Sequence, residues 1–116
     1  MTQSTGNLRA LVTGASEGIG RAFARQLARR GYRITAVARN ESRLKELVAE
    51  LGETGHDYIV ADLARHGDVQ RVADALQKGA YNLLINNAGF GVKGRFEEVD
   101  LAEFKSMTAV NIDALV

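Results

Sequence analysis

The octapeptide Thr13-Gly14-Ala15-Ser16-Glu17-Gly18-Ile19-Gly20 decides the fold; it sits inside "LVTGASEGIGRAFA", Leu11 to Ala24. A β-leaning apolar run ends in small residues, and three glycines then lead directly into a helix-forming sequence. The glycines follow a G-x-x-x-G-x-G spacing, Gly14, Gly18 and Gly20. Each has a separate physical use: a tight turn off the strand, a bare backbone that a ligand can touch, and a helix start pressed against the sheet. The first N–H groups of a helix lack partners and carry roughly half a positive charge, so such a loop suits a phosphate. The G-x-G-x-x-G fingerprint fails, because Phe23 stands where its last glycine would fall, and a P-loop would need a lysine that this loop lacks. A plain tight turn would be satisfied by one glycine; three, together with Thr13 and Ser16, favour the pyrophosphate of a dinucleotide.

Outward from this loop, β-leaning stretches alternate with helix-patterned ones, the mark of βαβ units on a parallel sheet. The first strand spans roughly Arg9 to Thr13. A helix from about Ile19 to Arg30 follows, with Ile19, Phe23, Leu27 and Ala28 on one face and Arg21, Arg25 and Arg29 on another; Gly31 stops it. The second strand is Tyr32 to Ala38. Its helix buries Leu44, Leu47, Val48 and Leu51 and ends at Gly52. A third strand, "YIVA", leads to Asp62, and Asp68 is read as the cap of a helix running to Lys78. "NLLIN" is apolar enough to be a central strand. Leu101 to Val116 reads as a helix, broken or kinked near Thr108 to Asn111. The fold class is therefore α/β: a three-layer, Rossmann-like, doubly wound parallel sheet in one domain over residues 1–116, truncated after about four βα units. Ligands of such sheets bind at the carboxyl ends of the strands, where strand order reverses.

Composition bounds the rest. A chain of 116 residues can fold as one domain, burying about 60–70% of its unfolded surface. With 46% hydrophobic and 25% charged residues it is an ordinary globular composition. Fifteen Lys plus Arg against 14 Asp plus Glu leave no global field for nucleic acid or a membrane surface. The absence of cysteine removes disulfides and thiolate metal sites, and no apolar run approaches the roughly 18 residues of a membrane span. A cytoplasmic protein is expected. His56 and His66 fall in polar loops with no partner at a metal-ligand spacing, so both are expected at the surface and no metal site is assigned.

The tip of the second strand bears on the cofactor. Roughly 20 residues past a glycine loop, an acid would accept from a ribose 2′-hydroxyl, whereas an arginine would pair with a 2′-phosphate. The strand ends Ala38-Arg39-Asn40, with no carboxylate at its tip. Arg39 either forks onto that phosphate or stands solvated. Glu41 weakens the phosphate reading, as an offsetting charge or a replacement acid, and Arg43 strengthens it. NADP(H) is favoured over NAD(H).

Taken together, "TGASEGIG", the Asp62-Leu63 pair, "NNAG" (Asn86 to Gly89) and "VNI" (Val110 to Ile112) resemble the short-chain dehydrogenases/reductases. The four motifs occur in that family's order, and the resemblance covers essentially the whole chain. It implies cofactor contacts from Thr13, Gly14, Ser16, Gly18, Ile19, Gly20, Arg39 and Asn40. It also implies that Asp62 and Leu63 enclose the adenine, that Asn87, Ala88 and Gly89 line the ribose while Asn87 steadies the sheet, and that Val110, next to Asn111, contacts the cofactor. Asn111 matches the active-site asparagine, which kinks its helix and holds a water of the proton relay. The family's Tyr-x-x-x-Lys pair is not found: the residues four beyond Tyr32, Tyr58 and Tyr81 are Ala36, Asp62 and Ile85. The resemblance therefore covers the amino-terminal half of a family member, with Asn111 as the one catalytic residue present. The expected function is the nucleotide-binding part of an NADP(H)-dependent oxidoreductase acting on a carbonyl or alcohol (CH–OH) substrate, without turnover by this chain itself and with its substrate unspecified. The rival is a non-catalytic Rossmann-like binding or assembly module. If the later strands are missing, Leu83 to Ile85 lie on an open edge, which predicts a homo-oligomer or strand swapping.

Overall fold

The computed structural model describes residues 8–52, 55–87 and, as backbone, 108–111. Five strands form one parallel sheet: β1 (Arg9–Thr13), β2 (Arg33–Ala38), β3 (Asp57–Val60), β4 (Leu83–Asn86) and β5 (Thr108–Asn111), in the order β3-β2-β1-β4-β5. Three helices connect them: α1 (Gly18–Arg29), α2 (Glu41–Leu51) and α3 (His66–Lys78). The strand order runs outward from β1 to β3, then α3 carries the chain back to the other side of β1. Right-handed crossovers place α1 and α2 on one face and α3 on the other.

Side chains divide accordingly, because successive residues of a strand point to opposite faces. Ala10, Val12, Ile34, Ala36, Ala38 and Ile85 pack with Ala24 of α1 and Leu44 and Leu47 of α2. Leu11, Val37 and Leu84 pack with Val69, Val72 and Leu76 of α3. Burial on both faces is why β1, β2 and β4 read as nearly continuous apolar runs.

Helix ends follow local chemistry. Asn40 caps α2 by accepting from the Arg43 N–H at 3.1 Å, and Glu41 sits favourably in the first turn. Gly52, at φ 107°, ends that helix in a conformation closed to most side chains. The helix after β3 begins earlier than Asp68 predicts. Arg65 stands at its N-cap with no side-chain cap bond, and Asp68 lies in the first turn. Its carboxylate accepts instead from the Asp62 N–H at 2.7 Å, which holds it below the usual carboxylate range, helped by Arg71.

Two other readings are corrected. Ile19 and Phe23 do not belong to the buried face of α1; they are 48% and 36% exposed, while Gly20 and Ala24 are buried. The helix turns its smallest residues to the sheet, which permits a closer approach than Phe would. Thr108 to Asn111 do not form a kinked helix. They are β5, paired in register with β4 so that Ile85 opposes Val110 and Asn86 opposes Asn111. Two β-branched residues in "TAVN" suit a strand, and the pairing satisfies backbone groups that β4 would otherwise leave open. The edge of Leu83 to Ile85 is therefore covered, and the strand-swapping expectation loses its premise. The rest of the stretch from Leu101 to Val116 lies outside the described residues.

At the amino ends of the strands a directed polar chain ties β1, β2 and β3 to the segment that precedes β4. The Arg9 guanidinium donates to the Tyr81 hydroxyl at 3.1 Å, that hydroxyl meets Thr35 Oγ1 at 2.7 Å, and Thr35 donates to Asp57 at 2.6 Å. Beside it, His56 is half-buried rather than at the surface, and its Nδ1 accepts from the Ile34 N–H at 3.0 Å, continuing the β2–β3 ladder with a side chain. Burial lowers the His56 pKa, opposed by the nearby Asp57 charge. A folded-state pKa below the unfolded one binds fewer protons in the native state. Its contribution is full above the unfolded value of about 6.5 and is lost as pH falls through that value toward the folded one. Urea midpoints should thus decline between pH 7.5 and 5.5, and His56→Asn, which keeps an acceptor but does not titrate, should flatten that decline. An unchanged slope in the variant would assign it elsewhere.

Candidate functional site

The carboxyl ends of β1 and β4 adjoin at the point where strand order reverses, and the glycine loop leaves from the first of them. Gly14 and Gly18 both have φ of 63°, the left-handed region where glycine is favoured. The loop is sewn to the neighbouring strand by the Ala15 N–H, which donates to the Val37 carbonyl at 3.2 Å. Its last residue, Glu17, is extended at the N-cap of α1 and makes no side-chain cap bond. The Arg21 N–H donates to the Glu17 carbonyl at 3.4 Å and begins the helical ladder. The N–H groups of Gly18, Ile19 and Gly20 precede that bond and have no helix carbonyl to donate to.

The three glycines are not equivalent. A Cβ on Gly18 would meet nothing within 4 Å, so open space lies beside the loop there. A Cβ on Gly20 would overlap the Gly14 carbonyl oxygen and stand 2.7 Å from Asn87 Nδ2. Gly20 is thus where helix, loop and the end of β4 come together. Ser16 is half-buried, and its carbonyl accepts from the Arg21 guanidinium at 3.4 Å.

Thr13 is fully buried, and its hydroxyl is spent on the sheet. Oγ1 donates to Asn86 Oδ1 at 3.0 Å and accepts from the Asn87 N–H at 2.8 Å. It therefore sets the height of the β4 terminus against the glycine loop. Asn87 Oδ1 is buried with no hydrogen-bond partner among the described residues. Ala88 and Gly89 lie outside the described residues. Val110 and Asn111 are described as backbone of β5, which brings Asn111 level with Asn86 at the same end of the sheet.

Along the rim, Arg39 follows β2 directly, is exposed, and makes no hydrogen bond or ion pair among the described residues. Glu41 accepts from the Tyr58 hydroxyl at 2.9 Å, an interaction that raises the Tyr58 pKa. Asp62 follows β3 by two residues and is half-buried. Its Oδ1 accepts from the Ala64 N–H at 3.0 Å, closing a small turn that leaves Leu63 buried against α3. Behind the loop, Glu50 of α2 takes Arg21 at 2.9 Å and Arg25 at 2.5 Å. Arg25 first and Arg21 second hold its carboxyl below the ordinary range.

A nicotinamide dinucleotide fits these residues: free helix N–H groups, open space at Gly18, an unpartnered acceptor at Asn87 and an uncommitted cation at Arg39. The sequence did not point to the Thr13 bonds or to the salt bridges of Glu50 and Glu17, which join residues 25 to 74 positions apart. No helix among the described residues is long and apolar enough to cross a membrane.

Comparison with known proteins agrees. A family model described as short chain dehydrogenase matches residues 9–116. The chain is 39% identical over 105 residues to the uncharacterized oxidoreductase YxnA of Bacillus subtilis, covering 87% of this chain and 30% of that protein. Among solved structures, it is similar to a short-chain dehydrogenase from Sphingobium yanoikuyae in complex with NADPH. The TM-score is 0.67 at 40% identity, over 72% of this chain and 34% of that one. An alcohol dehydrogenase from the archaeon Thermococcus sibiricus, complexed with 5-hydroxy-NADP, gives a TM-score of 0.71 at 27% identity, over 90% and 57% of the two chains. The chain thus spans less than half the length of YxnA and of the Sphingobium enzyme. With the match beginning at the first residue of β1 and the glycine loop, the β4 terminus and Asp62 arrayed along one end of its sheet, the chain belongs to the short-chain dehydrogenase/reductase family of oxidoreductases.

Proposed function

We propose that this chain is the cofactor-binding part of an NADP(H)-dependent oxidoreductase that moves hydride between the nicotinamide and a carbonyl or alcohol carbon. The observation that carries the choice of cofactor is Arg39, exposed and uncommitted at the tip of β2 with no carboxylate in the strand-tip position. The names of the Sphingobium and Thermococcus neighbours, one holding NADPH and the other an NADP derivative, support the same choice.

In this reading the nicotinamide, when bound, supplies or accepts the hydride, and the chain's own residues bind and orient. The N–H groups of Gly18, Ile19 and Gly20, with Gly14 and Ser16 shaping the turn, hold the pyrophosphate. Arg39 takes the 2′-phosphate, and the turn at Asp62 and Leu63 takes the adenine. Asn87, Ala88 and Gly89 line the ribose, and Asn111 is the active-site asparagine. Thr13 and Asn40 act by position, one fixing the β4 terminus and the other starting α2. Because the Tyr-x-x-x-Lys spacing is absent, no turnover is expected of this sequence alone. A second reading keeps the binding alone: a non-catalytic nucleotide-binding module with the same glycine loop and the same Arg39.

Arg39→Ala should weaken NADPH binding about 10- to 100-fold, the usual worth of a charge-assisted pair with phosphate, and leave NADH nearly unchanged. Calorimetric titration of both cofactors against both proteins tests this. Equal wild-type affinities for NADPH and NADH would defeat the choice of cofactor, and a coding frame that continues into a Tyr-x-x-x-Lys motif would remove the second reading.

A further inference from the structure

Among the described residues β3 is an outer strand of the sheet. Its inner side is fixed by the Ala61 N–H, which donates to the Ala38 carbonyl at 2.9 Å. Backbone groups of successive strand residues point to alternate sides, so those of Tyr58, Val60 and Asp62 face outward, and such an edge is a template for another strand. Two side chains of α3 meet it there. The Arg71 guanidinium donates to the Val60 carbonyl at 2.8 Å, and Asp68 Oδ2 accepts from the Asp62 N–H at 2.7 Å. The same Arg71 nitrogen reaches Asp68 Oδ1 at 3.2 Å, so the two are an ion pair within one turn of the helix. In a parallel ladder, a bridging residue gives its N–H to the carbonyl on one side of its opposite number and takes the N–H on the other side. Around Ala61, Arg71 supplies that donor and Asp68 that acceptor. The pair therefore stands where one residue of a further strand would, and side chains cannot carry the ladder onward. With the Arg71 side chain 55% exposed, the pair adds little as an ion pair; its geometry caps the edge.

We propose that the outer edge of β3 is a docking surface for β3 of a second copy of this chain, and that Asp68 and Arg71 hold it closed by occupying the place of a strand residue. A twofold axis at Ile59 sets Tyr58 of one copy opposite Val60 of the other, with the outward backbone groups of both in position to bond. The side chains suit that register. Val60 is 37% exposed and Tyr58 half-buried, both on the sheet face of α1 and α2, so an aromatic ring meets a β-branched side chain across the axis. Asp57, the one charged residue of β3, falls opposite Ala61 and not opposite its own copy. The ladder needs the Val60 carbonyl, and Arg71 has it.

Arg71→Ala tests this, since alanine suits a helix and the bond from Asp62 to Asp68 is left in place. Sedimentation over a concentration series should show self-association tightened about tenfold or more over wild type, the worth of freeing one backbone acceptor in each copy. Hydrogen exchange should show the Tyr58 and Val60 amides slowing as concentration rises, which association through another face would not produce. Adding Val60→Lys puts a charge on the edge outside the buried core and should return both readouts to wild type. A urea midpoint measured alongside reports folding, and Arg71→Met, which keeps an apolar stem and removes the donors, is a second variant with the same expected result. Wild-type mass at every concentration in both variants would overturn the proposal, as would a gain in mass that survives Val60→Lys. Slowed exchange at unchanged mass would mean that another part of the same chain covers the edge, and the choice of partner would fail.

Discussion

Gly20→Ala is expected to abolish detectable NADPH binding and to lower stability by about 2 kcal/mol or more. Helix propensity alone argues the opposite, since alanine inside a helix is better than glycine by about 1 kcal/mol. The packing reverses the sign. The new methyl would overlap the Gly14 carbonyl oxygen and lie 2.7 Å from Asn87 Nδ2. A carbonyl in the backbone of a tight turn cannot swing aside as a long side chain can, and overpacking of this kind costs about 1–3 kcal/mol even where neighbours yield. Relief requires α1 to move off the loop, which displaces the N–H groups that face the phosphate. Gly18→Ala is the comparison: its methyl has open space, so its penalty comes from φ of 63°, about 1–2 kcal/mol. Urea unfolding together with NADPH titration of the two variants checks this. A Gly20→Ala protein with a wild-type midpoint and wild-type affinity would mean that loop and helix are not in contact as described.

Thr13→Val should cost roughly 3 kcal/mol and loosen the cofactor site without changing side-chain volume. The hydroxyl serves two groups at once, accepting from the Asn87 N–H at 2.8 Å and donating to Asn86 Oδ1 at 3.0 Å, in a fully buried position. Each buried polar group that loses a partner costs about 1–3 kcal/mol, whereas the methyl that replaces the hydroxyl gains little where Thr13 was already buried. Thr13→Ser restores the hydroxyl and should recover most of the loss. If valine and serine at this position gave the same unfolding midpoint, the bridge between β1 and β4 would carry no weight.

Much of this architecture is legible in local pattern. The apolar runs of β1, β2 and β4 and the Leu44, Leu47 stripe of α2 need only the periods of strand and helix, and Gly31 and Gly52 end their helices by left-handed or otherwise glycine-favoured geometry. Where reading by period fails, a distant partner makes the choice. Thr108 to Asn111 lie in a stretch with a helical look, yet they pair with β4, because the vacant edge of an apolar strand offers hydrogen bonds that a local pattern does not reveal. Ile19 and Phe23 share a helical face with Leu27, but α1 is rotated so that Gly20 and Ala24 meet the sheet. Only the space beneath the helix sets that rotation. Likewise His56 is polar and flanked by polar residues, and nothing nearby in sequence says that Ile34 will donate to it.

By itself, the sequence determined the alternation of strands and helices, the glycine loop at the first turn and the family, since each rests on residue types at short fixed spacings. Tertiary structure alone decided which groups remain available. It spends Thr13 on β4, Glu41 on Tyr58 and Arg43 on Glu17, and leaves Arg39 and Asn87 Oδ1 uncommitted. The physical reason is that a side chain's freedom to bind a ligand depends on which partners the fold brings within hydrogen-bond reach, and here many of those partners are 17 to 74 residues away.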